Sequence, residues 1–375
     1  MKVNQAIRGA GENQWTFTKT GTLKKPLVLI FGDRFLLESH TVLDEVRALY
    51  PDGDLIFGTT SGEILGPHVF EESITLTAIE LEKTTYKIVR ANVKEYAAVE
   101  TLGNALAQQL PKKNLKHIFI VSEGSFVNGS GLINGFNQIQ DSTTPITGGL
   151  CGDGARFERT LASYNENPKE GEVIAVGFYG DTLEVSYANF GGWHSFGPQR
   201  SITKSEGNIL FEIDGKPALD LYKMYLGDKA DQLPQAALLY PLSVQTGAEE
   251  PLTRTILNID EDTNSMILAG DVPEGAKVQL MMSSTNDIAE AAHKAATLAM
   301  RNRKKAPELA LLVSCVGRKL VLAGRTEEEI EEVLDVVGEQ AAISGFYSYG
   351  EMAPFSGKNN CLLHNQTMTL TLISE

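Results

Sequence analysis

The chain has 375 residues, 42% hydrophobic and 22% charged, an ordinary globular balance with room for two domains. Its 33 basic and 48 acidic side chains leave a formal charge of -15, which argues against a nucleic-acid backbone or an anionic membrane surface as partner. No run approaches the roughly 20 apolar residues of a membrane span. The opening residues lack the apolar stretch of a secretory signal, and three scattered cysteines (Cys151, Cys315, Cys361) form neither a disulfide framework nor a zinc site. A reducing cytoplasm is the expected home.

In chain order, the apolar run Pro26–Phe31 predicts a strand ending in Gly32-Asp33-Arg34. A helix follows with Val42, Leu43, Val46 and Leu49 on one face, and then a strand at Leu55-Ile56-Phe57 enters GTTSGEI. A strand Tyr86–Asn92 and a helix with Val99, Leu102, Leu106 and Leu110 lead to a second unit. It runs from strand His117–Ser122 through a helix bearing Leu132, Ile133, Phe136 and Ile139 to PITGGLCGDG. Leu183–Asp271 is turn-rich and β-rich. Lys277–Met282 and a helix over Thr285–Met300 then parallel Tyr86–Asn92 and its helix. The third unit has strand Leu309–Cys315, a helix opening on a capping box (Thr326 with Glu329), and AISGFYSYGEM.

Each unit closes on a glycine-acid pair: Gly62-Glu63, Gly152-Asp153 and Gly350-Glu351. An alternating strand follows each one: Ser73–Glu80, Glu172–Tyr179 and Thr367–Ile373. The expectation is an α/β fold of duplicated β-α-β-type units with a β-rich central stretch, in two domains, 25–220 and 221–375. Any α/β chain yields look-alike units, but here the acid falls at the same point three times.

The motifs GTTSGEI, ITGGLCGDG, FEIDGKPALDLY, CVGRK, GFYSYGEMAP and HNQTMTLT, in this order, resemble the FIST N and FIST C domains of the F-box and intracellular signal-transduction family. The resemblance runs from about Lys25 to the C-terminus and implies a sensory module for amino acids or related metabolites. Some bacterial members are similar haem proteins that respond to nitric oxide. No F-box or output segment is recognisable, so any signal must pass to a separate partner protein.

Open α/β sheets bind ligands beyond the carboxyl ends of their strands. That places Asp33-Arg34, Glu123-Gly124-Ser125, Ser283–Asp287 and Gly317-Arg318 at candidate mouths. Arg34 or Arg318 would grip a ligand carboxylate, with Glu63 or Glu351 opposite its ammonium group. Gly62, Gly152, Asp153 and Gly350 complete the motifs, and Tyr347 and Tyr349, alternating on one strand, would line a pocket or pack in the core. The alternative reading is that each acid caps a turn. SEGSFVNGSGLING lacks GK[ST] and breaks G-x-G-x-x-G, which disfavours nucleotide binding. His68, His194 and His364 belong to no ligand motif, so neither metal nor haem is expected. Cys151 reads as buried filler, and no nucleophile or base pattern marks a catalytic residue. The leading reading is a non-enzymatic small-ligand sensor. An enzyme using the motif carboxylates and a protein–protein adaptor are the alternatives.

Overall fold

The computed structural model describes residues 1–39, 41–140, 143–355, 358 and 360–375. The α/β reading with duplicated units holds. In each of three six-stranded sheets, the two strands of one unit run parallel and adjacent. These pairs are Leu27–Gly32 with Asp54–Thr59, Leu115–Ser122 with Ile146–Leu150, and Leu309–Cys315 with Ala342–Ser348. The closing strand (Ser73–Glu80, Glu172–Tyr179 or Met368–Ser374) lies antiparallel on the first strand. The registers also coincide, with Gly32 opposite Ile74, Ser122 opposite Val173 and Ser314 opposite Met368. A fourth strand flanks each closing strand: Lys2–Gly9, Thr85–Asn92 and Glu184–Phe190.

The apolar runs of the first strands divide by the two-residue period of a β-strand. Leu27, Leu29 and Phe31 meet Phe119, Val121, Leu309, Leu311 and Val313 in one core common to all three units. The intervening residues turn outward onto helices. Val28 and Ile30 pack on Val42 and Val46 of helix Thr41–Leu49. Ile118 and Ile120 pack on Leu132, Ile133 and Phe136 of helix Gly129–Ile139. Ala310 and Leu312 pack on Ile330 and Val333 of helix Glu328–Val337. Both faces of each sheet are covered, which is why these strands read as unbroken apolar runs rather than alternating ones. Each large aliphatic side chain so buried contributes about 1.5–3 kcal/mol.

The units are interlocked at their edges. Strand Glu63–Leu65 leaves the first unit and pairs with Ala342–Ser348 of the third. Gly350–Pro354 leaves the third and pairs with Ile146–Leu150 of the second. Ala162–Tyr164 leaves the second and pairs with Asp54–Thr59 of the first. Glu63 lies opposite Phe346 and Glu351 opposite Gly149, which are equivalent positions on their host strands. The three acids are therefore not all equivalent, a correction to the motif reading. In the second unit the corresponding residue is Ala162, opposite Gly58, because the loop 151–161 intervenes and carries Asp153 off the strand.

Two further expectations are corrected. Lys277–Met282 is no counterpart of Tyr86–Asn92; it lies between His194–Glu206 and Leu242–Gln245 in a fourth, antiparallel sheet. Glu184–Phe190 holds the equivalent place, so the β-rich stretch is an insertion before helix Thr285–Met300. It has its own core around Ile202, Leu210, Tyr222, Leu242 and Val278, and its sheet and helix Ala218–Leu226 extend across residue 220. Thr326 and Glu329 form no capping box. The Thr326 hydroxyl donates to the Ala323 carbonyl and Glu329 is buried, while the reciprocal box joins Ser284 and Asp287 at the start of helix Thr285–Met300.

Candidate functional site

A cleft of about 470 Å³ opens where the carboxyl ends of the parallel strands from all three units converge. The first unit supplies Asp33 and Thr60–Glu63, the second Gly154–Arg156, and the third Val316 and Lys319 of helix Val316–Leu322. Ser61 is the junction. Its N–H donates to the Tyr347 carbonyl (2.8 Å) and its hydroxyl to the Gly154 carbonyl (2.9 Å). Its own carbonyl accepts from Lys319 Nζ at 2.7 Å. Two glycines are required by this closeness. A Cβ on Gly152 would lie 2.3 Å from Ser61 Oγ and 2.8 Å from its backbone N. Gly62 has φ +138°, and a Cβ there would meet Lys319 Nζ at 2.9 Å.

Glu63 forms part of the cleft lining but is almost wholly buried. It accepts from Ser73 Oγ at 2.6 Å and from the Thr60 hydroxyl. Burial pushes its carboxyl up to about 8, against the opposing pull of those hydroxyls and Lys319. Glu351, on its own exchanged strand, is built alike, taking bonds from Ser348 Oγ (2.5 Å) and from Thr367 N (3.1 Å) and Oγ1 (3.0 Å). Burial also pushes it up to about 8. It is fully buried and does not line the cleft.

Asp153 lies behind the cleft wall, held by Arg34 Nε at 3.0 Å and Arg156 Nε at 2.7 Å. Arg34 also binds Glu158 and Glu38, so its fork is occupied by three acids of the chain. Arg318 is fully buried, and it does not reach the mouth expected for it. Its donors go to Glu329 (Nε 3.0 Å), the Gly191 carbonyl (2.6 Å) and the Ile288 carbonyl (2.9 Å). Tyr347 OH donates to the same Glu329 at 2.5 Å, and Ser314 Oγ donates to it at 3.0 Å, closing an internal polar cluster.

Tyr347 and Tyr349 do not share a face. The chain bends at Tyr349 as it leaves the third sheet for the second, so the two rings enter different cores. Tyr349 stacks on Phe157 with ring centroids 4.5 Å apart. Gly350 begins the exchanged strand.

The other expected mouths are local structure. Glu123 accepts the N–H groups of Ser125 and Phe126, and Asp287 caps its helix. His68 and His194 pair with Glu327 and Asp287 on the surface, whereas His364 is buried against the Ala353 carbonyl and lowered to about 4 by burial. Among the described residues no three His, Cys, Asp or Glu side chains gather as a metal site. Cys151 lies in the shared core, its thiol pushed up by burial.

Sequence reading missed Lys319 and Arg156, the two cations that do line the cleft. Lys319 has side-chain exposure of 15% and Arg156 of 33%. Asp33 and Glu71 stand beside them as ion-pair partners. The available signal was position. Lys319 is the last residue of CVGRK, four past the strand end at Cys315, and Arg156 lies two residues after CGDG.

Three interlocked α/β units around a shared core, with an inserted antiparallel sheet and a cleft at their junction, define the class of protein. The FIST N domain family matches residues 26–216 and the FIST C domain family residues 218–354, so the chain belongs to the FIST family. FIST domains are associated with signal transduction and ligand sensing. The chain is also 22% identical over 373 residues to an uncharacterised protein of Methanocaldococcus jannaschii, covering 88% of this chain and 67% of that protein. No helix among the described residues is long and apolar enough to cross a membrane.

Proposed function

We propose that the protein is a sensor that binds an amino acid or a closely related zwitterion in the cleft at Ser61 and passes its state to a separate partner protein. The observation that carries this reading is the placing of Lys319 and Arg156 with Asp33, Glu63 and Glu71 around one opening of about 470 Å³. That size falls within the usual range for small-molecule pockets. Lys319 and Arg156 take the carboxylate, and Asp33 and Glu71 take the ammonium group. Arg34 and Asp153 hold the wall, whereas Arg318, Tyr347 and Glu351 keep the third unit rigid behind it. Three buried free thiols suit a reducing compartment such as the cytoplasm.

A charge-assisted hydrogen bond contributes about 1.5–3 kcal/mol, or roughly a tenfold to hundredfold change in affinity. Titration calorimetry with the common α-amino acids should find at least one binder, weakened by that factor in Lys319→Met and in Arg156→Met. Binding that survives both substitutions unchanged would move the site elsewhere. A panel with no binder would favour the adaptor reading.

A further inference from the structure

A second cleft of about 480 Å³ adjoins the first, and Ala155, Arg156 and Leu320 line both. Its character differs. Phe157, Pro234, Leu238, Leu239 and Leu257 line it beside Leu320, with Arg156, Gln235 and Asn258 as its polar members, whereas Asp33, Glu63, Glu71 and Lys319 line the first. Leu239 and Leu320 are 37% and 38% exposed, among the few large apolar side chains left open to water. The far wall is fixed. The turn Gln235–Leu239 packs on helix Val316–Leu322, and the Leu238 carbonyl accepts from the buried Gln366 amide at 3.0 Å. The near wall is fixed as well, since Phe157 is stacked on Tyr349 and donates its N–H to that residue's hydroxyl at 3.0 Å. Preformed rigid walls bind without the cost of ordering them.

We propose that the ligand is an α-amino acid carrying a long apolar substituent, its head in the ionic cleft and its tail in the apolar one. Resting on the amino-acid reading above, this adds the class of side chain. A short polar amino acid fills only the first cleft and leaves wet Leu239 and the part of Leu320 that faces the second. A linear tail that passes the aliphatic stem of Arg156 covers them. The insertion thereby gains a part in recognition, through Pro234, Leu238 and Leu239 at its turn Gln235–Leu239 and Leu257 on its strand Ile256–Asp260.

The test is a homologous series of α-amino acids, from alanine through norvaline to 2-aminooctanoic and 2-aminodecanoic acid, titrated calorimetrically. Each methylene fully withdrawn from water tightens binding about fourfold. With partial burial, affinity should rise at least about tenfold from alanine to 2-aminooctanoic acid. Leu257→Gln and the more exposed Leu239→Gln should each flatten that rise, with folding checked by thermal melts. If short members bind but affinity does not grow with length, the tail proposal fails and the amino-acid reading stands. A rise that persists undiminished in both variants overturns the proposal by placing the tail elsewhere. If no member of any length binds, the amino-acid reading itself falls.

Discussion

Glu63 and Glu351 are buried carboxyl groups offered only hydroxyls, with one backbone N–H for Glu351, as direct partners. Both are raised from the ordinary 4.5 to about 8. A carboxyl with a raised folded value holds its proton more tightly in the native state than when unfolded. Its contribution is intact below about 4.5 and is lost as pH climbs toward 8, on the order of 3–5 kcal/mol per group. Glu375 acts the other way: with its carboxyl held at about 2, its stabilisation is full above about pH 4.5 and is lost as the pH falls toward 2. Denaturant melts at pH 5 and pH 8.5 should therefore show a marked loss for the wild type and a smaller one for Glu63→Gln and Glu351→Gln. Parallel losses in all three proteins would mean that neither group titrates in this window. Arg318 shows why residue roles were hard to read in advance. Successive helical positions are rotated by about 100°, so Arg318 turns into the core onto Glu329 while its neighbour Lys319 turns to the cleft. The sequence identifies a basic pair after the strand but not which member faces out.

At the scale of elements, strands and helices were legible because their signals are local. Leu309–Cys315, Lys277–Met282 and Thr285–Met300 lie at their expected bounds. Misplaced features depended on distant partners. Lys277–Met282 has the pattern of a strand in any sheet, and only its pairing with His194–Glu206 assigns it to the inserted one. The same limit explains the capping error. Thr326-x-x-Glu329 has the form of a box, but Glu329 is drawn inward by Arg318, Ser314 and Tyr347. The working box is Ser284 with Asp287. Ser284→Ala should cost about 1 kcal/mol in chemical denaturation, within the range for lost N-caps. Thr326→Ala should cost less, since its hydroxyl donates only to an exposed carbonyl. Equal costs would show that Thr326 caps after all.

Across the whole molecule, the strand exchanges make the three units one cooperative body. A fragment covering residues 1–216 retains two β-α-β units but loses Gly350–Pro354, the edge partner of Ile146–Leu150. It also exposes the part of the shared core that Leu309, Leu311 and Val313 cover. Such a fragment should lack a sigmoidal melt and be cut rapidly by protease, whereas the whole chain melts in one step. A fragment that melts cooperatively by itself would show that the exchanged strands are dispensable. The order of exchange has a consequence of its own. First gives to third, third to second, and second to first. In a linear array of repeats the end members have one neighbour and fray first. This chain is linear in sequence but closed in contact, so none of its three units is an end, and a disturbance at Ser61 reaches the other two from both sides.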